Sequence, residues 1–153
     1  MSQVDNTGRV YISNSEIASN SGWLRKSGIT HIVNCASELP NYFPNKFGYY
    51  RTEMHDIPSE TIINRVEAAF KFISETLRRD PNAKILIHCH MGISRSASVA
   101  IYYLMRRYGV SFKYAMSLLK SRHSVTNPNV GYASQLQYLC NKLGGACNNI
   151  NKP

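Results

Sequence analysis

Lys84-Ile85-Leu86-Ile87-His88-Cys89-His90-Met91-Gly92-Ile93-Ser94-Arg95-Ser96 is the stretch on which the reading of this chain turns. Lys84–His88 is a short apolar strand, the next residues form a tight polar turn, and Ser96–Tyr108 is apolar on most faces, as a buried helix is. The turn has the pattern His-Cys-x5-Arg-Ser. Five residues between Cys89 and Arg95 are enough to curl the backbone so that its N–H groups point inward, a concave nest for an oxyanion. A helix beginning near Ser94 adds unpaired N–H groups and its positive dipole end. Gly92 permits a backbone angle that bulky residues resist.

A thiol at the mouth of such a nest is stabilised as thiolate. Arg95 supplies a planar fork that holds two phosphate oxygens at once, where Lys would give a point charge. Ser96 can donate a hydrogen bond to the thiolate when sulfur is the leaving group. His90, Met91, Gly92, Ile93, Ser94 and Arg95 are thus the expected phosphate-binding turn, and Cys89 the nucleophile of phosphoryl transfer through a cysteinyl-phosphate. Two competing readings are a structural Cys, since cysteines are often buried, and a metal site from His88, Cys89 and His90. Strand alternation puts the two histidines on one face and Cys89 on the other, with no partner ligand pair nearby, so no metal or other cofactor is expected.

Working outward, Arg9–Ile12 reads as a strand, and Ser13 with Glu16 as a capping box opening a helix that ends at Gly28. Thr30–Cys35 is a second strand, Glu38–Gly48 an aromatic-rich loop and Tyr49–Met54 a third strand. Apolar residues from Ile62 to Leu77 recur at helical steps over residues 60–78. Ser111 caps a further helix, and a last one covers Tyr132–Leu143. Strand 49–54, helix 60–78 and strand 84–88 make a βαβ unit with parallel strands, and strand 30–35 joins the same sheet. Ligands bind beyond the carboxyl ends of such strands. The loop after Cys35, the turn around Asp56 and the turn after His88 share that edge.

The chain has 153 residues and a net charge of +9. Residues 1–80 hold nine basic side chains and all nine carboxylates, whereas residues 81–153 hold nine basic residues and no Asp or Glu. A proton donor for the leaving oxygen must therefore come from the first half. Asp56, in the turn after strand 49–54, is the choice, with Glu53 and Glu38 as fallbacks; its other reading is a turn-forming Asx residue ahead of Pro58. The positive second half is expected to favour a thiolate and to draw in acidic, phosphorylated substrates.

The length suits one domain, able to bury about two-thirds of its unfolded surface. There is no leader-like segment, membrane-spanning run, repeat or CxxC pair. Residues 1–8 read as a flexible N-terminus, 9–143 as a catalytic domain and 144–153 as a flexible tail. Cys35 ends a strand at the same edge as Cys89 and is placed either for packing or for a protective disulfide. Tyr42, Phe43 and Tyr49 are placed either to wall a phosphotyrosine pocket or to pack. Cys140 and Cys147 have no evident role.

Across about residues 9–142 these motifs resemble the dual-specificity branch of the cysteine-based protein phosphatases. The resemblance implies an α/β protein tyrosine phosphatase-like fold, with a central, mostly parallel twisted sheet flanked by helices. It also implies hydrolysis of phosphotyrosine and phosphoserine/phosphothreonine in proteins. Asp56 falls where that family's general acid lies. Pro128-Asn129-Val130-Gly131-Tyr132 is similar to its Pro-Asn-x-Gly-Phe segment, whose Asn braces the loop, so Asn129, with His88, is expected to support the turn. No residue of the turn is Lys, unlike the phosphoinositide phosphatases of the superfamily. Met91 stands where most members have Ala, and with Asn41-Tyr42-Phe43-Pro44 the turn is most similar to the slingshot phosphatases, which act on phosphorylated cofilin. His90 replaces their usual Lys, and neither their flanking regions nor the docking domain of the MAP kinase phosphatases is expected. The expected partners are phosphorylated proteins, cofilin-like or MAP kinase-like, met by a cytoplasmic monomer away from membranes. Two other readings are a phosphate-recognition module that binds without turnover and an RNA 5′-phosphatase. The second rests on charge alone, without an aromatic RNP run, so nucleic acid is not the expected partner.

Overall fold

The structure, a computed structural model, describes residues 1–144. Five strands, β1 (Ser2–Gln3), β2 (Val10–Ser13), β3 (His31–Ala36), β4 (Gly48–Met54) and β5 (Ile85–His88), form one sheet in the order β1-β2-β5-β3-β4. β1 is antiparallel to β2, and the other neighbours are parallel. β4 and β5 lie on either side of β3, so the βαβ crossover read from the sequence spans one intervening strand.

Side-chain alternation divides the core in two. Val33, Cys35, Ile85, Ile87 and Cys89 face the larger cluster, and Ile32 and Leu86 the smaller. Complete burial of each such Ile or Leu contributes about 1.5–3 kcal/mol. The larger face is covered by α3 (Ile63–Arg79), α4 (Arg95–Tyr108), α5 (Phe112–Arg122) and α6 (Val130–Leu143). Every residue of α4 from Arg95 to Met105 is buried, because α4 packs on the sheet and on α3, α5 and α6 together. The smaller face is covered by α1 (Ser15–Ala18), α2 (Ser21–Lys26) and the aromatic loop, with Tyr42, Phe43 and Tyr49 packed against Leu24, Ile32 and Leu86. These aromatics thus pack on the core, one of the two uses open to them.

Several boundaries differ from the sequence reading. Ser13 does not cap a helix, because it is the last residue of β2, paired with His88. Asn14 and Asn20 take that role for two separate short helices, accepting from Ile17 N and Trp23 N. α3 starts at Ile63 rather than 60, and the backbone N–H of Ile62 ahead of it donates to Gln135 Oε1. α6 starts at Val130, with the Asn129 side chain capping Tyr132 N. Residues 1–8, read as a flexible terminus, are bound to the fold: β1 pairs with β2, and Asp5 is 4% exposed, accepting hydrogen bonds from the hydroxyls of Tyr103 and Tyr108. The burial of Asp5 has no local signal, because its tyrosine partners lie about a hundred residues further on. The tail read as flexible, with Cys147, lies outside the described residues from 145 onward. No described helix is long and apolar enough to cross a membrane.

Candidate active site

β5 delivers Cys89 to the carboxyl edge of the sheet, and α4 begins six residues later at Arg95. Between them four carbonyls of the turn accept hydrogen bonds from donors outside it. His90 O accepts from Ser15 N (2.9 Å), Gly92 O from the His123 ring (2.7 Å) and Ile93 O from Asn127 N (2.8 Å). Ser94 O accepts from Ser98 N and Ser98 Oγ. With these carbonyls engaged, the N–H groups are left for the concave side. One of them already points at sulfur, Gly92 N donating to Cys89 Sγ at 3.2 Å. Gly92 has φ +72°, and a Cβ there would lie 3.1 Å from the Ser13 carbonyl, so both conformation and space call for glycine.

Cys89 is 2% exposed, and its Sγ lies 3.1 Å from Ser96 Oγ. Arg95 is buried, with its guanidinium at the same edge. Nη1 and Nη2 donate to the two Glu38 oxygens at 2.6 and 2.8 Å, and Nη1 also donates to Met54 O. These hydrogen bonds hold the Glu38 carboxyl down to about 2. Burial opposes the charge on Arg95, but Glu38 and then Cys89 raise its pKa. The Nε side of the fork stands outside the ion pair, so Arg95 is aimed without being used up. His90 and Met91 expose their side chains beside Asn14–Glu16, around a cleft of about 250 Å³; what they can offer an oxyanion is backbone.

His88 is fully buried, its ring against Tyr42 (6.4 Å between centroids) and Nδ1 3.2 Å from Cys89 O. Burial pushes its pKa down to about 4, which keeps the ring neutral beneath the turn. Cys35 is buried on the Cys89 face, and its thiol is pushed up by burial first and then by Cys89. Both are free thiols. Among the described residues, no group of three or more His, Cys, Asp or Glu could hold a metal ion.

Asp56 sits on the exposed loop after β4 in a left-handed conformation, φ +60°. One residue connects it to the Cys89 turn: Asn129 donates from its backbone to Ser94 Oγ (3.0 Å) and from its side chain to Asp56 Oδ1 (3.1 Å). Asn129 thus braces both the turn and the carboxylate. The fallback acids are placed otherwise, Glu38 on Arg95 and Glu53 on Arg51 at 2.9 Å. Sequence reasoning missed the roles of Glu38, Ser15, His123, Glu60 and Tyr132, each of which acts through a partner distant in the chain. Only Tyr132 left a trace, a hydroxyl where the resembling segment has Phe.

The family model for the dual specificity phosphatase catalytic domain matches residues 10–142. The chain is similar to the protein phosphatase Slingshot of Drosophila melanogaster, 36% identical over 84% of this chain and 12% of that protein. It is also similar to the protein-tyrosine-phosphatase MKP1 of Arabidopsis thaliana, 37% identical over 83% of this chain and 16% of that one. It therefore spans under a fifth of the length of either relative. Among solved structures, human DUSP28 superposes with a TM-score of 0.85 at 27% identity, covering 94% of this chain and 97% of that one. A mouse putative dual specificity phosphatase complexed with zinc tungstate gives 0.84 at 30% identity, covering 93% and 87%. The family match across nearly all of the sheet and helices, on top of the Cys89–Arg95 turn, makes this chain a member of the dual-specificity phosphatase family.

Proposed function

We propose that this chain hydrolyses phosphotyrosine and phosphoserine/phosphothreonine in proteins through a cysteinyl-phosphate intermediate. The observation that carries the reading is Asn129, which joins a carboxylate of the first half of the chain to the thiol-bearing turn of the second. The Cys89 thiolate attacks phosphorus while the turn's N–H groups and Arg95 take the charge on the phosphoryl oxygens. The P–O bond breaks, and Asp56 gives its proton to the leaving oxygen. Asp56, now a carboxylate, takes a proton from water as that water attacks phosphorus. The P–S bond breaks, and sulfur leaves as a thiolate that the Ser96 hydroxyl, 3.1 Å away, can stabilise. A tetrahedral oxyanion in complex with a structural neighbour agrees with an oxyanion as ligand.

The partners are phosphorylated proteins, with cofilin-like and MAP kinase-like substrates suggested by the resemblance, met by a monomer in the cytoplasm. A module that only binds phosphate would have no use for a tethered acid, and nothing in the site favours RNA. The test is hydrolysis of an aryl phosphate in the presence of chelator. Turnover is expected in the wild type and its loss in Cys89→Ser, and full activity in that variant would overturn the reading. For Asp56→Asn, turnover on a poor leaving group is expected to fall by about 10²-fold or more with substrate still bound. A phosphopeptide panel that includes a phospho-cofilin N-terminus then ranks substrates.

A further inference from the structure

The acid loop is suspended from one face of α6. Asn129, Tyr132 and Gln135, at helical spacing, reach it in turn. Asn129 holds the Asp56 carboxylate, Tyr132 Oη accepts from Asp56 N at 2.9 Å, and Gln135 accepts from Ile62 N and donates to Glu60 O at 2.7 and 2.8 Å. Tyr132 is fully buried, yet its hydroxyl meets a residue of an exposed loop. That hydroxyl has a determined direction. It donates its proton to Glu60 Oε1, which leaves a lone pair for the Asp56 N–H. Glu60 is itself held by His55, whose N and Nδ1 lie 2.8 and 2.7 Å from its two oxygens.

This arrangement answers a need of the backbone. Among the described residues, Asp56 is one of two non-glycine residues with positive φ, a conformation that costs free energy and is held in place by its surroundings. The Tyr132 hydroxyl bonds the backbone of Asp56, while Asn129 bonds its side chain. Without the hydroxyl, the Asp56 N–H would lose its partner, and the loop could relax toward an ordinary φ, carrying the carboxyl away from the leaving oxygen.

We propose that Tyr132 is a positioning residue for the general acid, its hydroxyl holding the Asp56 backbone in the left-handed conformation under the orientation set by Glu60. The proposal rests on the assignment of Asp56 as the acid. A misplaced acid slows departure of a poor leaving group far more than that of a good one, and it does so without weakening phosphate binding.

The experiment compares kcat and KM of the wild type, Tyr132→Phe, Glu60→Ala, Asp56→Asn and the double variant Tyr132→Phe/Asp56→Asn on phenyl phosphate and 2,4-dinitrophenyl phosphate. The expected result for Tyr132→Phe is a fall in kcat of about tenfold on phenyl phosphate, against less than about twofold on the dinitrophenyl ester, with KM unchanged. Glu60→Ala should follow the same pattern. In the Asp56→Asn background, adding Tyr132→Phe should cost nothing further, because the hydroxyl acts only through Asp56. Unchanged kcat in Tyr132→Phe, an equal loss on both esters, or a full further loss in the double variant would overturn the proposal while leaving Asp56 as the acid. Wild-type turnover of phenyl phosphate by Asp56→Asn would remove the acid assignment and the proposal together.

Discussion

Glu38 grips Arg95 through both carboxylate oxygens, at 2.6 and 2.8 Å, across 57 residues of sequence. Releasing this grip lets a long side chain sample rotamers that do not face the oxyanion. Glu38→Ala is expected to lower kcat/KM by about tenfold, equal to about 1.4 kcal/mol, chiefly through KM and with weaker inhibition by inorganic phosphate. The exposure of the Glu38 side chain, 48%, keeps the effect modest. Because the folded carboxyl sits at about 2, below its ordinary value near 4.3, the ion pair is complete above that value and is lost only as pH falls toward 2. An acidic limb of activity between pH 5 and 7 is therefore not due to Glu38, and Glu38→Gln should leave such a limb in place.

In the proposed mechanism Ser96 serves the second step rather than the first. Ser96→Ala should slow hydrolysis of the cysteinyl-phosphate by about 10–100-fold, so that rapid mixing with an aryl phosphate gives a burst of one equivalent of phenol followed by slow turnover. A linear time course with lowered rate would assign Ser96 to the first step instead.

His88 couples the site to stability through pH. The folded ring has its pKa lowered to about 4 by burial, while the unfolded chain takes up the proton near 6.5. As pH falls, the unfolded state is protonated first. His88 therefore costs no stability above pH 6.5, an increasing amount between 6.5 and 4, and a constant amount below. The full difference is roughly 3 kcal/mol. Urea midpoints at pH 7 and pH 4.5 should diverge for the wild type, and His88→Phe should remove much of the divergence. Parallel decline of the two proteins would assign the titration elsewhere.

Gly131 brings α6 into close contact with the acid loop. A Cβ built there would lie 1.8 Å from Pro58 O, and neither backbone can give way without moving the residues around Asp56. Gly131→Ala should cost about 1–3 kcal/mol and lower kcat on poor leaving groups by tenfold or more. A normal thermal midpoint and normal kcat would mean that the two segments separate freely.

What the sequence disclosed was local. Cys89, Gly92, Arg95 and Ser96 lie within one strand-turn-helix unit, where spacing alone dictates geometry, and Asp56 followed from its place after a strand of the same sheet. Undisclosed were the pairings across the two halves of the chain. The basic second half meets the carboxylates of the first at specific points, Arg95 on Glu38 and Arg106 on Glu67. A charge count shows the imbalance but not which groups meet. Glu38 reads as a spare acid because nothing near it in sequence reveals Arg95, and nothing near Glu67 reveals that Tyr102 and Arg106 donate to it. Ser13 was mistaken for a cap because the pairing of β2 with β5 runs one residue further than its apolar pattern.

β1 has a consequence beyond closing the edge of the sheet. Ser2 Oγ lies 3.0 Å from His123 Nδ1, and the other ring nitrogen reaches Gly92 O at 2.7 Å. Since a carbonyl can only accept, Nε2 carries a proton, and Nδ1 faces the Ser2 hydroxyl. Two hydrogen bonds thus separate the second residue of the chain from the wall of the oxyanion nest. A purification handle or fluorescent partner fused ahead of Met1 is then no neutral attachment. It would load the strand whose Ser2 hydroxyl meets His123, so a label whose readout must not disturb catalysis belongs elsewhere on the surface, at the exposed Lys113 or Lys120 of α5.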